Sequence, residues 1–235
     1  MNSQWQVDLY NGLNNAVDMQ DVLDSTLKIV RNFGFEYVGW RTALPVPLTR
    51  RKTMVMNTAE DGILRKAENG DYDDAIGVKH CSQSMEPIYY RGTTEEPLFF
   101  KAPEMWEEYI SYGRKACWAQ SLIESKSVFS MFWVDSINKM SQKDIDNIHY
   151  QMEWVSIYVL SKMNQFNLKQ DIKLSEREKE VLRWFGDGKT SEQIGMILNL
   201  SHSTINFHFR NAMKKLGTHN KTSTIVKAIY LHLLH

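Results

Sequence analysis

The sequence predicts an α+β chain in two parts, an N-terminal α/β/α sandwich followed by a C-terminal four-helix domain. Three observations carry this. Residues 1–164 mix helix-spaced apolar positions with short aromatic and β-branched runs, the pattern of a sheet flanked by helices. Residues 174–235 hold only helical patterns, opened by capping residues. Between them the polar stretch 165–173 interrupts both patterns and reads as a linker.

The elements follow in order. Trp5, Leu9, Leu13 and Val17, then Val22, Leu23, Leu27 and Val30, fall at helical spacing over 5–32, with Gly34 as the stop. Phe35-Glu-Tyr-Val-Gly-Trp-Arg41 alternates and is aromatic and β-branched, hence a strand. Pro45 and Pro47 break it, and Lys52-Thr-Met-Val-Met-Asn57 is a second strand. Pro87-Ile-Tyr-Tyr90 is short, and a helix over 106–112 stops at Gly113. Strands over 117–122 and 128–134 pair around a Glu124-Ser-Lys-Ser127 turn. A long amphipathic helix over 141–164 aligns Ile145, Ile148, Met152, Val155, Val159 and Met163 on one side.

In the C-terminal part, Ser175 with Glu178 three residues on forms a capping box. That helix runs to about Phe185 and stops at Gly186 or Gly188. Thr190 or Ser191 caps the next, and Asn199-Leu-Ser201 makes a tight turn. Ser201 or Ser203 caps a third helix reaching Leu216 and ended by Gly217, and a fourth covers 222–234.

Composition narrows the setting. No run of ~18 apolar residues is present, so no membrane span is expected. The start, Met1-Asn-Ser-Gln-Trp-Gln-Val-Asp8, lacks the basic and apolar regions of a signal peptide. Two cysteines, Cys81 and Cys117, cannot build a disulfide framework, and a cytoplasmic location is expected. The net charge is zero, yet residues 171–235 hold ten Lys/Arg against six Asp/Glu. A small basic module on an acidic body suits phosphate contact by that module alone.

The functional signal lies in residues 188–216. Two short helices joined by a few turn residues are what a helix-turn-helix requires. In the second helix Ile205, Phe209, Ala212 and Leu216 form one stripe, which must be core. The opposite side carries Asn206 and Arg210 one turn apart, with Phe207 beside them. Asn can pair bidentately with adenine and Arg with guanine in the major groove, so these three are the candidate base readers. Lys189, Thr190, Ser191, Ser203, Thr204, Asn211, Lys214, Lys215 and Lys221 are placed to meet phosphates. Competing chemistry is weaker. His202, His208 and His219 lack cysteine or carboxylate partners at ligand spacing, so no metal or cofactor is expected. Cys117 reads as a small buried hydrophobe rather than a redox sensor. Asp71, Asp73 and Asp74 read as a solvated loop. No Ser-His-Asp set or phosphate-binding glycine loop supports an enzyme.

Leu174-Ser-Glu-Arg-Glu-Lys-Glu-Val-Leu-Arg-Trp184, Gly188-Lys-Thr190, Thr204-Ile-Asn-Phe-His208, Asn211, Lys215-Leu216 and Asn220-Lys221 together resemble the LuxR-type helix-turn-helix, over about 173–235. The resemblance implies that Lys189 and Thr190 face phosphates and that Asn206 and Arg210 read bases. Phe33-Gly-Phe-Glu-Tyr37, Pro45-Val-Pro47, Trp106, Tyr112-Gly113 and Trp118-Ala-Gln-Ser121 are similar to the acyl-homoserine-lactone receptors of that family. This implies a sensor and dimerisation domain over 1–164, a linker over 165–173 and a DNA-binding domain over 174–235. It also implies a homodimer acting on palindromic double-stranded DNA, with RNA polymerase as a further partner.

Such receptors hold the lactone with tryptophan and tyrosine donors, an aspartate acceptor, a packing tryptophan and a glycine. Aligned on Cys81–Pro87 and Trp118, those positions carry Gly62, Lys66, Ala75-Ile76, Tyr90 and Cys117, with Asp74 at the aspartate position after a shift of one. Trp106, Trp118 and Ser130 complete the expected pocket. Losing the donor and acceptor leaves buried ligand groups unpaired at about 1–3 kcal/mol each. The resemblance therefore implies a LuxR solo that answers poorly to ordinary lactones, binding a different small molecule or none. Two alternatives stand beside it: a lactone receptor with an atypical pocket, and a modulator forming mixed dimers with another regulator.

Overall fold

A computed structural model of the chain describes residues 4–43, 46, 53–59, 62–125, 128–168 and 172–234. The breaks expected at Pro45 and Pro47, the start of the second strand at Lys52 and the tip of the Glu124–Ser127 turn fall outside these residues. The chain divides into two compact units, one holding Thr53–Asn167 with the residues up to Leu44, the other holding Leu168–His235.

In the first unit the helical pattern over 5–32 is two helices, α1 (Gln4–Asn15) and α2 (Met19–Val30). The break has a local cause. Asp18 takes extended backbone angles and its side chain accepts from the Asp21 N–H, capping α2. Strand β1 (Tyr37–Ala43) pairs antiparallel with β2 (Thr53–Asn57). Helices α3 (Gly62–Asn69) and α4 (Ile76–Cys81) precede a three-residue strand β3 (Ile88–Tyr90). Two more short helices, α5 (Pro97–Lys101) and α6 (Pro103–Ser111), each begin on a proline. Proline is pre-set for the first helical turn, where its missing N–H costs nothing. The hairpin β4 (Ala116–Ser125) and β5 (Val128–Ser136) leads into α7 (Gln142–Leu168). The sheet runs β2-β1-β5-β4-β3, with every pair antiparallel.

Strand alternation assigns the two faces. Val38, Trp40, Trp118, Phe132 and Val134 point one way, onto α1, α2 and α7, and form the main core with Leu9, Leu23, Met152, Val155 and Val159. Of the predicted α7 stripe, Ile145, Met152, Val155, Val159 and Met163 are buried and Ile148 packs at the edge. The helix runs past Asn164 into the expected linker because Phe166 still packs on the core and Asn167 is buried. The other face carries Arg41, Cys117, Ala119, Met131, Trp133 and Asp135 and is covered by α3 to α6. Gly39 belongs to that face. The Trp133 indole lies against it so closely that a β-carbon there would overlap the ring.

The second unit is all helix: α8 (Glu176–Gly186), α9 (Ser191–Leu198), α10 (His202–Leu216) and α11 (Lys221–Tyr230). Where the sequence leaves two capping residues open, Thr190 caps α9 and Ser201 caps α10. The last helix begins at Lys221, capped by Asn220. Val181, Leu182, Phe185, Ile194, Ile205, Phe209, Ala212 and Leu216 are buried, and the Phe185 and Phe209 rings meet edge to face at 4.9 Å.

Phe132 is fully buried at the centre of the first unit's sheet. Phe132→Ala should cost about 3–5 kcal/mol, read as a lower urea midpoint with an unchanged slope.

Candidate functional site

Two places concentrate functional chemistry, the α9–α10 pair and the cavity beneath α3 to α6. The α9–α10 angle is set by a tight turn. Asn199 adopts the left-handed conformation (φ 54°) that ends α9. Gly195 lets the returning chain approach, because a β-carbon there would stand 2.6 Å from the Leu200 carbonyl oxygen. Ile205, Phe209, Ala212 and Leu216 bury one side of α10, which leaves Phe207 and Arg210 exposed on the other and Asn206 half-buried between them.

Asn206 is already held. Its Oδ1 accepts from the Ser191 hydroxyl at 3.0 Å, and its amide nitrogen stands 3.2 Å from a ring nitrogen of His202. His202 in turn lies 3.3 Å from Glu192. Of the expected phosphate contacts, Ser203 and Lys214 are exposed and Lys189, Thr204 and Asn211 half-buried. Thr190 closes a capping box with Gln193, its hydroxyl oxygen accepting from the Gln193 N–H. Lys221 lies over the Phe185 ring at 4.0 Å. Lys215 is a departure from its expected place, because it bonds the buried carboxylate of Glu178 at 2.7 Å and ties α10 to α8. Burial pushes the Glu178 carboxyl up, but the bonds from Lys215 and from the Ser175 N–H outweigh it and hold it below its ordinary value.

The cavity encloses about 140 Å³. Sheet residues Arg41, Ala119, Met131, Trp133 and Asp135 form its floor, and Ile63, Val78, Leu98, Met105 and Trp106 its roof. Asp135 anchors the assembly. Its carboxylate accepts from Tyr109 Oη at 2.5 Å and from Arg114 Nη1 at 2.5 Å, and both side chains of the ion pair are 1 % exposed. Burial, then the neighbouring Asp135 charge, raises the Tyr109 hydroxyl well above its ordinary range. The same causes push the Cys117 thiol up to about 12, so it stays protonated and behaves as an apolar lining group.

Of the pocket positions taken from sequence, Ala75, Tyr90, Trp106 and Cys117 border the cavity. The others do not. Trp118 and Ser130 lie on the opposite face, Trp118 in the core and Ser130 donating to Asn164 Oδ1 at 2.7 Å. The reason is the two-residue period of a strand, which gives Cys117 and Trp118 to different faces. Gly62 sits under the Tyr112 ring, Lys66 pairs with Glu108, and Asp74 is an exposed partner of Lys79 at 3.0 Å. Ile76 opens α4 outside the lining. The sequence reading missed Arg41, Tyr109, Arg114, Met131 and Asp135 as lining. The available signal was a charge inside an otherwise apolar strand, at Arg41 and Asp135.

Residues 172–228 match the family described as bacterial regulatory proteins, luxR family. The transcriptional activator protein AnoR of Acinetobacter nosocomialis is 29 % identical over 246 residues, 98 % of this chain and 99 % of AnoR. The regulatory protein SdiA of Escherichia coli (strain K12) is 32 % identical over 199 residues, 80 % of this chain and 79 % of SdiA. A crystal structure of Escherichia coli SdiA shares the fold, with a TM-score of 0.78 at 22 % identity over 99 % of this chain and 98 % of that one.

The Glu178 network makes stability depend on pH. A carboxyl held below its ordinary value of 4.5 adds stability above that value and loses it as pH falls through the lowered one. Glu178→Gln should cost about 1–3 kcal/mol at neutral pH. In a melting series against pH the gap from wild type should close on acidification below 4.5.

Proposed function

Because the chain belongs to the LuxR family of bacterial transcription regulators, we propose that it is a homodimer that reads a palindromic DNA site through α10. The observation that carries this is the row of exposed Phe207 and Arg210 with half-buried Asn206 between them on a helix whose other side is core. Arg210 offers two parallel donors to guanine, Asn206 a donor and an acceptor to adenine, and Phe207 an apolar face for a thymine methyl. Lys189, Ser191, Ser203, Thr204, Asn211 and Lys214 anchor phosphates, with Thr190 and Lys221 beside them, while Lys215 contributes through α10 position. A single small module gives limited specificity, and a two-fold symmetric pair supplies the rest. The long helix supports the dimer. On the side of α7 away from its core stripe, Tyr150, Ile157 and Tyr158 are 79 %, 60 % and 40 % exposed, with Trp154 stacked on Tyr158 at 4.2 Å. An apolar row on a helix surface is what a partner helix covers. The protein works in the cytoplasm, and RNA polymerase is its further partner. No helix among the described residues is long and apolar enough to cross a membrane.

The cavity does not serve ordinary acyl-homoserine lactones in this reading. Ala75 stands where the family places its amide acceptor, and Asp74 points to solvent. Asp135, the one lining carboxylate among the described residues, is engaged by Tyr109 and Arg114, and the Trp106 indole N–H donates to the Leu98 carbonyl at 2.7 Å. A lactone amide entering this cavity meets no free acceptor of the expected kind.

Arg210→Ala should flatten base preference in a binding-site selection, whereas Lys189→Ala should weaken binding to all sequences and reduce its salt dependence. If neither changes DNA retention, α10 is not the reading helix. Ile157→Glu should yield monomers in analytical ultracentrifugation without lowering the monomer's melting temperature. Common acyl-homoserine lactones should leave the melting temperature unmoved, and a micromolar or tighter Kd for one of them overturns this part of the proposal.

A further inference from the structure

The cavity has two polar stations with donors to spare. Arg41 is 5 % exposed and lines the floor. Among the described residues only its Nη2 takes partners, Asp73 Oδ1 at 2.5 Å and Thr53 Oγ1 at 3.5 Å. Among the described residues the remaining guanidinium donors take no hydrogen bond. Tyr90 is fully buried, and its hydroxyl has no partner among the described residues. Tyr90 pairs in register with Cys117, which lines the cavity, so the ring points the same way. Its stacking on Trp106 at 4.1 Å fixes the ring. A phenol left unpaired in a dry place costs free energy that a ligand acceptor would recover.

The two stations stand at opposite corners. Arg41 is level with Met131, and Tyr90, through Cys117, is level with Asp135. Those rows are about 14 Å apart along β5 at ~3.4 Å per residue, and Arg41 and Tyr90 stand on strands three places apart in the sheet. Between them the lining is apolar: Ile88, Leu98, Ala119, Met131 and Trp133. The lining charges are Arg41, Arg114 and Asp135. Asp135 neutralises Arg114, and the partner of Arg41, Asp73, lies outside the lining and is half-exposed. The cavity therefore presents at one end a guanidinium whose neutralising carboxylate, Asp73, stands behind it rather than in the lining.

We propose that the ligand of this cavity is an acidic amphiphile, an apolar chain whose carboxylate meets Arg41 and whose other end offers a hydroxyl or carbonyl oxygen to Tyr90. This rests on the sensor reading of the first unit and names its ligand class. Guanidinium–carboxylate hydrogen bonds are charge-assisted and about twice as strong as neutral ones, so the acid end dominates affinity. The Tyr90 hydroxyl is raised by burial, then by Glu96 and Cys117, and remains a neutral donor.

The test uses the purified full-length protein and ω-hydroxy fatty acids from octanoate to dodecanoate, below their micellar concentrations, with their methyl esters and the plain fatty acids as controls. Isothermal titration should show at least one ω-hydroxy acid binding about tenfold or more tightly than its methyl ester, and several-fold more tightly than the plain acid. Arg41→Gln should abolish the preference for acid over ester while ester binding persists. Tyr90→Phe, which removes only an unpaired hydroxyl, should abolish the preference for the ω-hydroxy acid over the plain acid. Equal affinity of acid and ester for wild type, no binding of any acid, or a preference surviving its variant overturns the inference. Should Arg41→Gln fail to fold, the wild-type comparison and Tyr90→Phe still decide it. The readout contains no DNA, so its failure leaves the DNA-reading proposal intact, and the Arg210→Ala selection tests that proposal separately.

Discussion

A carboxylate holds the cavity open. Asp135 projects from β5, the middle strand of the sheet, and accepts from Tyr109 of α6 and from Arg114 just before β4. Without it a buried guanidinium would lose its carboxylate and a buried phenol its shortest hydrogen bond, at several kcal/mol. The roof helices are short, and α3 to α6 rest on this triangle and on apolar packing. The opposite face needs no such device, since its large side chains fill the space between the sheet and α1, α2 and α7.

This division explains what was legible in the sequence and what was not. Strong periodicities survive. The α7 stripe, the β4–β5 hairpin and the capped helices of the second unit are local patterns that packing reinforces. Helices α3, α4 and α5 were not read. They span eight, six and five residues, too few to establish a period. The split between α1 and α2 turns on one capping side chain, Asp18. On the recognition unit, the buried stripe of α10 followed from spacing alone, but the bond between Lys215 and Glu178 required the fold, because 37 residues separate them.

The cavity was legible only in outline. Tyr90, Trp106 and Cys117 could be placed from their neighbours in sequence, whereas Trp118 and Ser130 were given to the wrong face. Alignment to a family motif fixes position along a strand and says nothing of which way a side chain points. The charged residues Arg41 and Asp135 were the better guide, because a charge inside an apolar strand needs a special environment.

Those same charges also guard the folding of the sheet. On β1 Trp40 precedes Arg41, and on β5 Val134 precedes Asp135, so each strand alternates an uncharged face with one that carries a single charge. A slip of either strand by a single residue would exchange the faces, driving a guanidinium or a carboxylate into the main core and Trp40 or Phe132 into the cavity. Several kcal/mol of desolvation oppose that error. The side chains that equip the cavity for a ligand thus also proofread the strand pairing that builds it.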